Sequence, residues 1–273
     1  MDDNGGSYVE IRRLTKRQLV YVLAASVFML HAYAADERQI VDQIHRAYYN
    51  LAAQGLSELH CRATPEWSAL YKQMSVDMEH DKLLPLMKGV HFEVSIGAGG
   101  ASAVSHQYDT APPDEQTADR LRQTTNGAEQ MLTGFFKTWS PIMFGFSLIG
   151  SNDKFEMQKT DAGYRLTQQE GSTRVVMLFT REWMLTDMST TMGTTEINLH
   201  FQFTRGDDGY ILTEYYGTFG NTANGQKGDI KVSVAYQQVQ GFQIPSTLTA
   251  HVQAGAMNAQ VPIQFSDCKV TKK

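Results

Sequence analysis

The residues best suited to acid–base or metal chemistry are histidines and neighbouring carboxylates, and they are scattered along the chain. Of the eight histidines, only His80 stands between two acids, in Glu79-His80-Asp81. Consecutive residues of a helix point in different directions, and no second cluster completes a tetrahedral set of ligands. The sequence therefore predicts a solvated helix surface here, with no metal site and no cofactor.

Motifs of the common enzyme families are also missing. The chain has no G-x-S-x-G, no H-E-x-x-H, no phosphate-binding loop and no C-x-x-C. The Asp207-Asp208 pair falls in a turn-forming segment, where aspartate is common because it hydrogen-bonds to the local backbone. We therefore expect a protein that is not an enzyme.

The first 34 residues have the order of a secretory signal peptide. Four basic residues between positions 12 and 17 precede an apolar run of 12 residues, 19–30, and small residues follow at 32–35. We expect cleavage after Ala34 and a periplasmic mature protein. An uncleaved membrane anchor is the alternative, although the run is shorter than the ~20 residues that span a bilayer.

Export determines how the two cysteines are interpreted. Both Cys61 and Cys268 lie in the mature chain and would meet an oxidising compartment. We predict a disulfide that links the start of the fold to its last strand. Two unpaired buried thiols are the alternative, because the sequence does not show that their Cα atoms come within ~7 Å.

Charge and composition limit the class of partner. The chain has 24 Lys and Arg residues against 29 Asp and Glu, and no basic cluster beyond its first twenty residues. Proteins that bind the phosphate backbone usually display a clustered basic face, so we expect no nucleic-acid partner. The 42% hydrophobic composition is enough for one large domain.

Hydrophobic periodicity divides the mature chain into two parts. Helical spacing predicts helices over 36–54 and about 118–138, whereas period-two alternation predicts successive strands with short turns from Lys154 onward. We predict one domain over residues 35–273, with a helix-rich cover at 36–150 and a β-meander at 151–273. The fold class is α+β: an incomplete antiparallel β-barrel, a curled meander sheet, with helices covering its concave face. Pro262 predicts that the last strand is an edge strand.

Apolar side chains are the most distinctive feature of this chain. Eleven of its 13 methionines lie in the mature part, and methionine is common on surfaces that accept varied apolar ligands, although ordinary core packing is the alternative. The inward-facing residues of the meander predict a ligand cavity lined by Leu199, Phe201, Phe203, Tyr216, Val234, Tyr236, Phe242 and Ile244. In the apolar segment 135–150 we predict a lid over this cavity, formed by Trp139, Met143 and Phe146; a plain buried helix is the alternative.

Phe242 and Ile244 belong to this set because they flank a predicted bend. Gly241 supplies backbone freedom, and Pro245 starts the next strand without losing a ladder donor. We expect the bend to fold over the rim of the half-barrel and help to close the cavity.

The late strands resemble those of a known family. The segments "DGYILTEYYGTF" (208–219) and "VSVAYQQVQGFQIPSTLTAHV" (232–252) are similar to the outer-membrane lipoprotein-sorting proteins of the LolA/LolB-like superfamily. The shared pattern is a tyrosine, a valine-glycine corner, an apolar residue and a proline, here Tyr236, Val239, Gly241, Ile244 and Pro245. The resemblance implies a half-barrel whose apolar cavity takes acyl chains.

These observations lead to one expected function and one alternative. We expect a monomeric, non-catalytic periplasmic carrier or binder of lipoprotein acyl chains or other apolar ligands. The alternative is an envelope module that uses the same scaffold for structural or protein-protein interactions, with envelope proteins as partners.

Overall fold

A computed structural model describes residues 39–73, 83–150, 154–255 and 257–273. The predicted signal peptide and the Glu79-His80-Asp81 cluster lie outside these residues. Contacts divide the chain into two units, Met1–Asp42 and Gln43–Lys273. The second unit contains every strand and every site described below.

Four helical segments are described. They are α1 (39–47), α2 (Trp67–Gln73), α3 (Leu83–Lys88) and α4 (Glu115–Met143). Helix α1 ends earlier than the predicted residue 54, because the backbone after it pairs with distant segments: Tyr49 N donates to Tyr210 O at 3.1 Å, and Leu51 N donates to Met143 O at 3.0 Å. Gly209 permits this pairing, since a Cβ there would lie 2.6 Å from the carbonyl carbon of Tyr48.

Twelve antiparallel strands form one open sheet in the described residues. They are β1 (Leu56–Pro65), β2 (Val90–Gly97), β3 (Ser102–Tyr108), β4 (Glu156–Lys159), β5 (Gly163–Glu170), β6 (Thr173–Thr180), β7 (Leu185–Met192), β8 (Thr195–Gly206), β9 (Gly209–Asn221), β10 (Gln226–Val239), β11 (Phe242–Ala254) and β12 (Met257–Lys272). Their order is β3-β2-β1-β12-β11-β10-β9-β8-β7-β6-β5-β4. The predicted meander is therefore confirmed for β4 to β12, and β1 to β3 extend the same sheet beyond β12.

The predicted disulfide is confirmed. Cys61 in β1 and Cys268 in β12 are bonded, with their Cα atoms 4.1 Å apart and 207 positions apart in sequence. The two strands pair directly, from Leu56↔Lys272 to Pro65↔Ile263. The disulfide thus links the first strand of the sheet, in chain order, to the last.

The prediction that the last strand lies at an edge is wrong, because β12 lies between β1 and β11. Pro262 is tolerated there because the pairing with β1 ends next to it, at Pro65↔Ile263. In an antiparallel strand the backbone nitrogen and the carbonyl of one residue face the same neighbouring strand. The Pro262 carbonyl accepts a hydrogen bond from Glu66 N at 2.8 Å, so the Pro262 nitrogen also faces that side, past the end of β1, where its lack of an N–H is tolerated.

Helix α4 is the longest helix, and it packs on one face of the sheet. Asp114 caps it by accepting a hydrogen bond from Thr117 N at 2.7 Å. Its buried residues recur at helical spacing, and it contacts β2, β3 and β9. This face of the sheet, called the inner face below, carries the alternating buried residues of the strands.

Candidate functional site

A large, mainly apolar space lies between α2, α4 and the inner face of the sheet. It is a cavity of about 1350 Å³, which we call the α4 cavity. Its lining comprises Trp67, Leu70, Thr124, Gly127, Ala128, Gln130, Met131, Phe219, Ala250, Val252, Asn258, Ala259 and Val261. Most of these side chains are apolar, so the space suits a ligand without much polarity.

The helical wall of the cavity is built from one face of α4. Thr124, Gly127, Ala128 and Met131 are three or four residues apart, which places them on the same side of a helix. Two of the four are small. A Cβ built on Gly127 meets no other atom within 4 Å, so the helix leaves open space where a larger residue would fill it.

The sheet wall is a block of four apolar residues on β11 and β12. Val252 pairs with Ala259, and Ala250 pairs with Val261, so the four side chains form a two-by-two patch on the inner face. Phe219 of β9 extends the patch. The two alanine side chains project only a short distance from the sheet. Together with the small residues of α4 they leave the space that forms the cavity.

Few polar groups reach the cavity. The Thr124 hydroxyl is engaged within α4, where it donates to Arg120 O at 3.0 Å. The Asn258 amide oxygen lies 2.7 Å from His251 Nε2. Trp67 differs, because its indole N–H is buried and has no hydrogen-bond partner in the part of the chain that the structure describes. The cavity can therefore offer apolar contact over most of its surface and few fixed hydrogen bonds.

Helix α4 is tied to the sheet at two places. In its middle, Glu129 pairs with His106 of β3 at 2.5 Å, and the Thr125 hydroxyl lies 3.0 Å from that of Tyr108. Near its C-terminal end, the indole N–H of Trp139 donates to the Tyr236 hydroxyl at 2.9 Å. The stretch of α4 that lines the cavity is thus fixed to β3 by its other side, and the C-terminal part of the helix has a second anchor on β10.

The C-terminal anchor is a buried hydrogen-bond chain. The Tyr236 hydroxyl accepts from Trp139 and donates to Leu212 O at 2.6 Å. Burial raises the pKa of Tyr236 well above its ordinary value, and the hydrogen bond with Trp139 offsets only part of this. The hydroxyl therefore keeps its proton at neutral pH and can serve as donor and acceptor together.

The three residues of the predicted lid lie in the packed interior. Trp139, Met143 and Phe146 are each fully buried, and none of them lines the α4 cavity. Trp139 belongs to the anchor just described, and the Phe146 ring packs 4.5 Å from that of Tyr48. Large apolar side chains pack closely against one another in a protein interior. These three residues therefore form core and do not cover an open space.

Seven of the eight predicted cavity residues are on the inner side or in the core, yet they do not line the cavity. Phe203 packs against Tyr48 with ring centroids 5.4 Å apart, and it also stacks with Phe201. The other side chains of this group are buried or half-buried: Leu199, Val234, Tyr236, Phe242 and Ile244. They belong to the packed interior beside the cavity.

The predicted bend over the rim is a tight hairpin turn. Gln240 and Gly241 both have positive φ, 50° and 93°, and they alone separate β10 from β11. Phe242 and Ile244 are the first and third residues of β11, 2% and 0% exposed, so they are ordinary core residues and do not cover a rim.

Tyr216 lies on the face opposite to the one predicted. Its side chain is 41% exposed and belongs to a separate groove on the outer face. The cause is a register shift in β9: Phe203 pairs with Leu212, but Gln202 pairs with Glu214, so one extra residue reverses the alternation. Tyr215, next to it, is the buried residue.

No family model matches this chain, and no curated protein or solved structure is significantly similar to it. Among the described residues, no three His, Cys, Asp or Glu side chains are grouped so that they could hold a metal ion. The same part of the chain contains no helix with the length and apolar character needed to cross a bilayer. A functional assignment therefore depends on the α4 cavity and on the sequence pattern.

Proposed function

We propose that this protein is an exported, non-catalytic binder or carrier of acyl chains, and that the α4 cavity holds the chain. The observation that carries the proposal is the apolar lining of the 1350 Å³ space between α4 and the sheet. In this proposal the open sheet is an incomplete barrel, and α2 and α4 cover its concave face. This arrangement is the one implied by the resemblance of the late strands to lipoprotein-sorting proteins.

Two further observations agree with the proposal. Apolar burial needs no fixed charge, and among the described residues that line the cavity there is no Lys, Arg, Asp, Glu or His. The disulfide between Cys61 and Cys268 is typical of proteins in oxidising compartments, which fits export to the periplasm.

The size of the expected affinity follows from the chain length. A hexadecanoyl chain has about 14 methylenes, and burying all of them would contribute about 11 kcal/mol at ~0.8 kcal/mol each. Association costs at least about 4 kcal/mol, which leaves about 7 kcal/mol, or a Kd of about 10 μM. A carrier that must release its cargo needs moderate affinity of this order.

Hexadecanoic acid is a direct probe of this proposal. Native mass spectrometry of residues 35–273 should show a one-to-one adduct, and the acid should displace a dye such as ANS that fluoresces in apolar sites. Absence of an adduct and of displacement at saturating acid would contradict acyl-chain binding.

One observation favours the alternative interaction module. Strand β4 ends the sheet, and all four of its residues are exposed, so its outer edge could pair with a strand of another protein. Recovery of a stable envelope protein partner, without lipid and dependent on β4, would support that function instead.

A further inference from the structure

A second concave site lies on the outer face of the sheet, opposite the α4 cavity. It is a groove of about 600 Å³, which we call the Tyr216 groove. Its lining comprises Asn198, His200, Gln202, Glu214, Tyr216, Gly217, Thr218, Asp229, Ile230, Lys231 and His251. The volume falls within the range of small-ligand sites, and most of the lining residues carry a polar group beside their apolar atoms.

The centre of the groove is a row of side chains that runs directly across the strands. The row in the groove consists of His200, Tyr216, Lys231 and His251, successive cross-strand partners on β8, β9, β10 and β11. Asp187 of β7 pairs with His200 and continues the row just outside the groove. Directly opposed residues lie about 5 Å apart, so a ligand across the strands would meet each of them in turn. The row thus favours an extended ligand perpendicular to the strands.

Tyr216 gives this row an exposed aromatic surface. Among the Phe, Trp and Tyr side chains in the described residues it is the most exposed, at 41%. The His200 ring stacks on it with centroids 5.2 Å apart and an interplanar angle of 27°, and Asp187 Oδ1 lies 2.5 Å from His200 Nδ1. The tyrosine ring is therefore braced in a fixed orientation.

The charges of the groove are largely paired internally. Lys231 Nζ lies 3.0 Å from Glu214 Oε2, which also accepts a hydrogen bond from the Ser233 hydroxyl at 2.9 Å. The lining has one lysine against two acids, Glu214 and Asp229, so it lacks the positive field that phosphates or nucleic acids require. Amides and hydroxyls supply the remaining donors and acceptors.

We infer that the Tyr216 groove binds a neutral saccharide chain. A sugar ring presents one apolar face, which stacks on an aromatic ring, and a rim of hydroxyls, which are donors and acceptors at once. The groove offers the matching pair of features: the face of Tyr216, and the amides and carboxylates of Asn198, Gln202 and Asp229 on either side of the central row. This inference is independent of acyl-chain binding, because the two sites are on opposite faces of the sheet.

The test uses three neutral hexasaccharides as probes, made respectively of β-linked glucose, α-linked glucose and β-linked N-acetylglucosamine. Calorimetric titration of residues 35–273 should show that at least one of them binds. Tyr216→Ala should weaken that binding by about tenfold or more, since a lost aromatic stacking contact is worth about 1.4 kcal/mol. Tyr216→Phe keeps the ring and should bind within a few-fold of the parent.

Leu178→Ala is the matched control. Leu178 is 37% exposed and pairs with Asp187, so it continues the same row three strands beyond Tyr216 but lies outside the groove. This variant should bind the saccharide as the parent does. The inference is overturned if none of the hexasaccharides binds at about 10 mM, if Tyr216→Ala binds unchanged, or if inorganic phosphate competes for the groove.

Discussion

Filling the α4 cavity from the helix side should weaken acyl-chain binding without damaging the fold. Gly127 lies on the cavity-lining face of α4, and a Cβ at this position meets nothing within 4 Å. Gly127→Phe therefore adds a benzyl group at the exposed rim of the cavity with no initial clash. Glycine is also a poor helix residue, so the substitution should raise the free energy of unfolding by about 0.5 kcal/mol.

The expected loss of affinity can be worked from the displaced ligand. A benzyl group has about seven carbon atoms; if it excludes only about three methylenes of the acyl chain, the loss is about 2.4 kcal/mol at 0.8 kcal/mol each. This corresponds to a Kd raised about 50-fold. ANS displacement by hexadecanoic acid would measure it, with native mass spectrometry as an independent check.

Gly134→Phe provides the matched control. Gly134 lies two turns further along α4, and its Cβ position is also free of atoms within 4 Å, but it does not line the cavity. Both variants should unfold at or slightly above the parent temperature, and only Gly127→Phe should lose acid binding. Equal binding by the two variants would refute the assignment of the ligand to this cavity, whereas equal loss would place the ligand elsewhere along α4.

Three further predictions concern stability. Replacing Cys61 and Cys268 together by alanine should lower the free energy of unfolding by up to about 5 kcal/mol, since the disulfide closes a loop of 207 positions. Urea unfolding with and without reductant measures this loss. An effect of reductant on the double variant would contradict the prediction. Tyr236→Phe should cost about 1–3 kcal/mol, because Trp139 loses its buried acceptor, and tryptophan fluorescence should report the change; a loss below 0.5 kcal/mol would show that water replaces the hydroxyl. Asp114→Ala should cost about 1 kcal/mol by removing the cap of α4, whereas Asp114→Asn should restore most of it, as measured by thermal unfolding.

The order of the sheet was largely readable from the sequence. Residues of alternating polarity such as Ile197, Leu199 and Phe201 form β8, and the short turns between late strands produce an antiparallel meander. The pairing of β1 with β12 has no local signal, because it joins residues about 200 positions apart. Only the two cysteines indicated this pairing, because a disulfide requires that the two strands that carry them lie side by side.

The face of the sheet to which each side chain points was less predictable, because a single extra residue in a strand reverses it. Uninterrupted alternation from Tyr210 and Leu212 would place Tyr216 on the inner face. The register shift beside Glu214 moves it outward and buries Tyr215 instead. A bulge of this kind depends on how two strands twist together, so the sequence of β9 alone does not reveal it.

The predicted lining residues lie outside the α4 cavity for a different reason. The prediction selected the largest apolar side chains of the meander, such as Phe201 and Phe242, but these fill space by packing against one another. Space remains where two facing elements both carry small residues, here Gly127 on α4 and Ala250 and Ala259 on the sheet. The sequence feature that indicates the cavity is therefore a set of small residues at helical spacing that faces small residues in strands of alternating polarity. To recognise it, one must already know which helix faces which strands.

The two proposed sites share their supporting strands, and this sharing follows from the geometry of a single sheet. On β11, Ala250 lines the α4 cavity while its neighbour His251 lines the Tyr216 groove, because successive side chains of a strand point to opposite faces. The inner face can be apolar and the outer face polar only while this alternation is kept. An acyl chain and a saccharide can thus be bound by one layer of strands without competing for the same surface, and cavity and groove variants should act separately on the two ligands.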